Sequence, residues 1–266
     1  MKAFKFFRRD ILIFIIGLAL VCYPIASNYF ESKEQNSLIC TYESKTEKLN
    51  QDQIEMQLET AKRWNNDLFL SQNGLSTELS DLKYEDVLNI ENDVIGSIEI
   101  PKIEVNIPIF RGTDADKLSV GAGHLEDSSF PVGGANTHTV LTAHRGLPSS
   151  KLFTRLDELT KNDVFYLKVL NQTLAYKIDE IEVLRPEEVS YPVQSERDLA
   201  TLITCTPYGL NTHRLVLSGH RIPYVESDKE KIKSKLPSIR EIAFCAIPLV
   251  FSITGIFVFR KKKGAE

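Results

Sequence analysis

The sequence predicts a mainly β domain, a closed or nearly closed barrel, carried between two apolar helical segments near the ends of the chain. Three observations lead there. Both ends hold long charge-free apolar runs. From Val94 onward, short β-branched runs follow one another, punctuated by Gly, Pro, Asn and Asp. Only short helical pieces intervene among them, and many short strands with irregular connections suit a barrel.

The N-terminal run extends from Ile11 to Phe30, preceded by Lys2, Lys5, Arg8 and Arg9. The C-terminal run extends from Ile242 to Phe259 and stops at Arg260, Lys261, Lys262 and Lys263. A spanning helix needs roughly 20 apolar residues, so both runs qualify. Basic residues favour the cytoplasmic side. Residues 1–30 therefore read as a cytoplasmic tip and anchor, 242–259 as a second membrane helix and 260–266 as a basic cytoplasmic tail. Everything between lies outside the cell. A cleaved signal peptide is the competing reading of the first run, but Pro24-Ile25-Ala26 makes a poor small-x-small cleavage site. The net charge of −4 gives no reason to expect nucleic-acid binding.

Residues 31–93 contain no proline and read as helix and linker. Leu49, Ile54, Leu58, Ala61 and Leu68 fall near helical spacing, as one long helix or two shorter ones, and 71–80 reads as a loop. The barrel occupies 94–225, and 226–241 is a linker. Strands are expected at Val94–Ile100, Ile103–Ile109, Thr137–Ala143, Val164–Leu170, Thr173–Leu184, Leu199–Cys205 and Arg214–His220. Short helices are expected at Ala115–Val120 and Ser150–Leu159.

Of four cysteines, Cys22 and Cys245 lie inside the apolar runs and read as passive packing residues. A disulfide between Cys40 and Cys205 is disfavoured, because Cys40 follows closely on the membrane helix and Cys205 ends a distant strand. Cys205 is followed by a connection containing Pro207, Gly209 and Asn211, and a new strand begins at Arg214. If the two strands pair, Cys205 and Arg214 share a rim of the sheet. A guanidinium favours a neighbouring thiolate and offers fixed donors to an oxyanion. A cysteine nucleophile also needs a proton carrier, usually histidine. His144 ends a strand-like run, and His213 adjoins Arg214; spacing leaves the two in competition. His138 begins the strand that His144 ends and belongs at the opposite rim, while His124 and His220 read as structural. A lone cysteine at a strand end is more often a small buried residue than a nucleophile. No Cys-x-x-Cys or His-x-x-x-His spacing supports zinc, and no cofactor is expected.

Taken together, these segments resemble the sortases, especially the pilus-assembling class C subgroup. TLITCTPYGLNTHRL (201–215) resembles that subgroup's cysteine-to-arginine signature, and VLTAHRG (140–146) its histidine motif. IGSIEIPKIEVNIPIF (95–110) resembles the opening barrel strands, and GAGHLEDSSFPVGG (121–134) the region ahead of the histidine. The resemblance implies an eight-stranded barrel with Cys205 as nucleophile, His144 as general acid/base and Arg214 as the substrate-orienting or oxyanion-stabilising group. It also implies the substrate: a secreted pilin or surface protein with an LPxTG-like C-terminal signal, joined to a lysine of the next pilin through a thioacyl intermediate. Anchoring of surface proteins to a peptidoglycan amine is the near alternative, and a non-catalytic membrane-anchored binding module the distant one. One departure stands out. Class C sortases commonly carry an Asp-Pro-aromatic lid motif ahead of the barrel; here Asp67-Leu68-Phe69 is a faint substitute, so a lidless or differently gated site is expected.

Overall fold

The computed structural model describes residues 2–75, 81–146, 151–236 and 239–263. Met1–Glu31 with Lys235–Glu266 makes one compact unit and Ser32–Ser234 the other.

Helix α1 (Lys2–Thr46) contains the N-terminal apolar run and is long and apolar enough to cross a membrane. Helix α2 (Gln51–Gln72) follows after a break. Asn50 makes the break, because its side chain accepts from Gln53 N at 2.8 Å while the Gln53 side chain accepts from Asn50 N at 2.9 Å. The helical region is thus two helices. Ile54, Leu58 and Ala61 of α2 join the barrel core, matching their spacing in sequence. Asn65, itself buried, pairs with both backbone groups of Phe130, donating to O at 3.0 Å and accepting from N at 2.7 Å.

The remaining elements are β1 (Val94–Ile100), β2 (Val105–Arg111), α3 (Ala115–Val120), β3 (Ala122–His124), β4 (Thr137–Thr142), β5 (Val164–Val169), β6 (Gln172–Leu184), β7 (Asp198–Thr206), β8 (His213–Ile222), α4 (Glu226–Glu230) and α5 (Ile239–Lys263). The eight strands close into a barrel in the order β1-β2-β3-β4-β7-β8-β6-β5. Neighbours run antiparallel except β2 with β3 and β4 with β7, which are parallel. Eight strands leave an interior just wide enough for side chains to fill. Ile98, Ile109, Leu141, Phe165, Tyr176 and Leu202 help to fill it, all fully buried.

Two sequence expectations change. Strand β3 is new: at three residues, two of them Ala and Gly, it carries almost no strand signal of its own. The helix expected at Ser150–Leu159 is, among the described residues, only a 3-10 turn at Leu156–Glu158. Phe153 N is committed to the His144 carbonyl at 3.2 Å, so it cannot serve a helical ladder. Residues 147–150 and 76–80 lie outside the described residues.

In the terminal unit, α5 carries a shorter apolar stretch, Ala246–Phe257. Phe14 stacks on Phe251 with ring centroids 5.0 Å apart. A Cβ on Gly255 would run into the Phe14 ring. Small residues of this kind let apolar helices approach closely.

Candidate active site

The site is built from three strand ends. Along β7 the pleat alternates: Ala200 and Leu202 face the barrel core, whereas Ile203 belongs to a separate apolar cluster on the outer face. Cys205 shares the face of Ile203. On β8, Leu215 and Leu217 are core residues and Val216 is in the outer cluster, so Arg214 also faces outward. The antiparallel register pairs Cys205 directly with Arg214, as it pairs Ile203 with Val216. Directly opposed residues hold their Cβ atoms about 4.5–5.5 Å apart. The Arg214 Nη1 donates to Asn211 O at 3.3 Å and His213 O at 3.2 Å, which ties the guanidinium to its own loop.

His144 arrives on β4, parallel to β7, with Thr142 beside Ile203. Ala143 N donates to Ile203 O at 3.2 Å, and Thr204 Oγ1 donates to Ala143 O at 2.8 Å, which carries the alignment past the end of the strand. Continued two places beyond Thr142, this register brings His144 level with Cys205. Leu141 faces the core and Val140 the outer cluster, so His144 keeps the outward parity of Val140. Cys205, His144 and Arg214 are all half-buried.

His213 pairs with Thr206, one step out of phase with Cys205, and therefore belongs to the opposite side of the pleat. Its Nδ1 is within hydrogen-bond distance of Thr212 Oγ1, at 2.9 Å. The choice that spacing left open between His144 and His213 thus acquires a geometric argument. Cys22, Cys40 and Cys205 are free thiols, so Cys40 and Cys205 form no bridge. Among the described residues no cluster of His, Cys, Asp or Glu suits a metal ion.

Beyond the three strand ends, the outer face supplies an apolar floor. Val140, Ile203 and Val216 form it, with Val189 and Tyr191 packed over them from the connection between β6 and β7. That connection is held by Gln72 Oε1, which accepts from Val193 N at 3.0 Å. It is also held by His138. Nδ1 lies 3.1 Å from Pro192 O and Nε2 lies 2.7 Å from Thr201 Oγ1. A carbonyl only accepts, so Nδ1 carries the proton and Nε2 accepts from the hydroxyl. Burial lowers the His138 pKa and favours this neutral form. The sequence reading did not identify the floor. Its signal was present in the runs THTVLT of β4 and TLITC of β7, which do not alternate cleanly between apolar and charged residues and so suit strands covered on both faces.

His124 is structural. It is fully buried, with Nε2 2.9 Å from Ser129 O and Nδ1 2.8 Å from Tyr84 Oη. Burial, opposed by the Ser129 contact and aided by Arg111, pushes its pKa down to about 4. Tyr84 is the buried aromatic of the 65–93 region, and it stacks on His124 with centroids 5.9 Å apart.

The loops bearing His144 and Cys205 also meet. Gly146 has a φ of 82°, and a Cβ there would stand 3.0 Å from the Tyr208 ring. Both the left-handed backbone and the close approach require glycine.

A sortase-domain family model matches residues 98–222. Sortase D of Bacillus subtilis is 34% identical over 131 residues, covering 48% of this chain and 63% of the relative, so the match spans less than two thirds of that protein. Sortase A of Streptococcus agalactiae is 31% identical over 205 residues, 74% of this chain and 76% of the relative. The crystal structure of Streptococcus pneumoniae Sortase C, described as informing catalysis and pilin substrate specificity, is 42% identical with a TM-score of 0.64. It covers 71% of this chain and 97% of its own. With this barrel, and with relatives of that extent, the chain belongs to the sortase family of cysteine transpeptidases.

Proposed function

We propose that this protein is a membrane-anchored, pilus-assembling sortase in which Cys205, His144 and Arg214 carry the chemistry. The observation supporting the reading most strongly is the pairing of Cys205 with Arg214 at the rim where β4 runs out into His144. His144 takes the Cys205 proton, and the sulfur attacks the scissile carbonyl carbon of an LPxTG-like sorting signal. Arg214 donates to the oxyanion that forms. As the C–N bond breaks, His144 returns the proton to the leaving amine and a thioester remains. A lysine amine of the next pilin attacks that thioester, the C–S bond breaks, and the lysine proton returns through His144 to the sulfur. The partly buried Val189 and Tyr191, packed over Val140, Ile203 and Val216 on the face that carries Cys205, suit the apolar residues of the signal. The site is lidless, or gated by something other than a proline-containing lid motif.

The full chain in detergent, mixed with purified pilin bearing the signal, is expected to produce a ladder of covalent oligomers. Cys205→Ala should produce none. Cleavage of the signal with transfer only to a peptidoglycan-type amine would favour wall anchoring, and processing that survives Cys205→Ala would end the enzyme reading.

The N-terminal helix is the anchor, and α5 is a second span that leaves both termini in the cytoplasm. The stacking of Phe14 on Phe251 and the seating of Phe14 against Gly255 support pairing of the two helices in the bilayer. A membrane-impermeant thiol reagent should fail to label a cysteine appended after Glu266 in intact cells. Labelling there would reject the second span.

A further inference from the structure

Arg145 follows the histidine directly, and the three-residue mechanism gives it no task. Its position is unusual. Leu141 and Ala143 face the barrel core, so Arg145 shares their parity and turns inward at the rim, on the side of the sheet away from His144. It is 6% exposed. Its Nη1 donates to Thr206 Oγ1 at 2.9 Å, and its Nη2 forms an ion pair with Asp157. Thr206 is the residue after Cys205. Asp157 lies in the turn Leu156–Glu158, and the same segment donates Phe153 N to the His144 carbonyl at 3.2 Å. Gly146 N adds a bond to Thr154 Oγ1 at 3.2 Å. Residues 144, 145 and 146 are thus each tied to 153–157, and residue 145 alone is also tied to the cysteine strand through its side chain.

We propose that Arg145 is a positioning residue: a guanidinium bracket that couples the end of the histidine strand to the end of the cysteine strand and so sets the spacing of His144 from Cys205. The proposal rests on the catalytic roles given above. β4 ends at Thr142 and Ala143 N still donates to Ile203 O, so among the described residues the backbone bonding between these two chains stops one residue short of His144. The Arg145–Thr206 bond crosses the same two chains one residue further on. Because Asp157 neutralises the guanidinium, the bracket adds no net charge to the site, and its role is geometric. Buried ion pairs are weak contributors to stability against apolar replacements of similar volume. Spacing errors near 1 Å in a reacting pair, by contrast, can cost about a hundredfold in rate.

The test uses the full chain in detergent. Turnover of a fluorogenic LPxTG-type peptide gives kcat and KM, and mass spectrometry of the Cys205 peptide gives its iodoacetamide labelling rate at neutral pH. Arg145→Gln should lower kcat about tenfold or more with KM within about twofold, and should slow labelling several-fold. Arg145→Lys should recover part of the loss, because one ammonium can reach Thr206 or Asp157 but does not reproduce the planar fork. Thr206→Val should reduce kcat in the same direction and add little in the Arg145→Gln background. If Arg145→Gln folds poorly, the double variant Arg145→Met with Asp157→Met removes both charges. It should melt near the wild type yet keep the kcat defect.

A double variant that melts like the wild type and turns over at its rate overturns the proposal. So does a loss that follows only KM or only the folded fraction. Labelling needs no sorting signal, so the two readings can fail separately. Wild-type protein that cleaves no signal, with labelling still sensitive to Arg145, would reject the enzyme reading and keep the bracket. Normal cleavage with kcat and labelling indifferent to Arg145 would do the reverse.

Discussion

Arg214 illustrates how much of its proposed role one side chain draws from its address. It sits opposite Cys205 in the β7–β8 register, and its Nη1 is tethered to the carbonyls of Asn211 and His213. A tethered planar fork presents its remaining donors in a fixed direction, which suits an oxyanion whose position is also fixed. Arg214→Lys keeps the charge and loses the fork, so kcat/KM for signal cleavage is expected to fall about a hundredfold or more. Steady-state kinetics on the full chain would check this, and full activity would remove Arg214 from the site. Sequence alone made Arg214 a plausible partner, because a strand beginning nine residues after a strand-ending cysteine can return beside it. Arg145 carried no such signal. An arginine after a histidine is ordinary in sequence, and only the fold reveals that it reaches Thr206 and Asp157.

Helix α2 shows how an accessory element is fastened to the barrel, and what its loss would cost. Its apolar stripe joins the core through Ile54, Leu58 and Ala61. Two amides add direction to that non-directional contact. Asn65 satisfies both backbone groups of Phe130, and Gln72 accepts from Val193 N while its Nε2 donates to Asp127 O at 3.2 Å. The helix therefore braces the turn ahead of β4 and the connection over the apolar floor. Asn65→Ala would leave the buried Phe130 N–H unpaired, while the Phe130 carbonyl would keep Val132 N at 2.8 Å. The expected cost is about 1–3 kcal/mol in chemical denaturation, the range for one buried orphan. A cost near zero would mean the helix is held by its apolar stripe alone. The stripe was legible in the heptad-like spacing of apolar residues. The amide contacts were not, because Asn65 and Phe130 are 65 residues apart and no local pattern links them.

At the scale of the whole domain, the buried histidines tie stability to pH. His124 and His138 are neutral in the fold, with pKa values lowered by burial, His124 to about 4. An exposed histidine in the unfolded chain titrates near 6.5. The unfolded state therefore binds more protons below pH ~6.5; the His124 contribution is lost progressively as pH falls toward 4, and His138 acts in the same direction. For His124 the loss amounts to about 3 kcal/mol. Urea denaturation across that range should show the decline, and His124→Gln, which cannot take up the proton, should flatten it. The sequence by itself determined the class of the fold, the order and extent of nearly every strand, the apolar ends and the cysteine-to-arginine pair. These are written in local periods of apolar and β-branched residues and in charge boundaries, which need no knowledge of distant partners. Only the tertiary structure decided the break between α1 and α2 at Asn50, the existence of β3 and the unwinding of the expected helix at 150–159. It also gave the argument that separates His144 from His213. The physical reason is common to the cases that matter for the site. A parallel pairing such as β4 with β7 joins residues about 60 apart, its register is fixed by barrel closure rather than by a turn, and a one-residue slip would send each side chain to the other face.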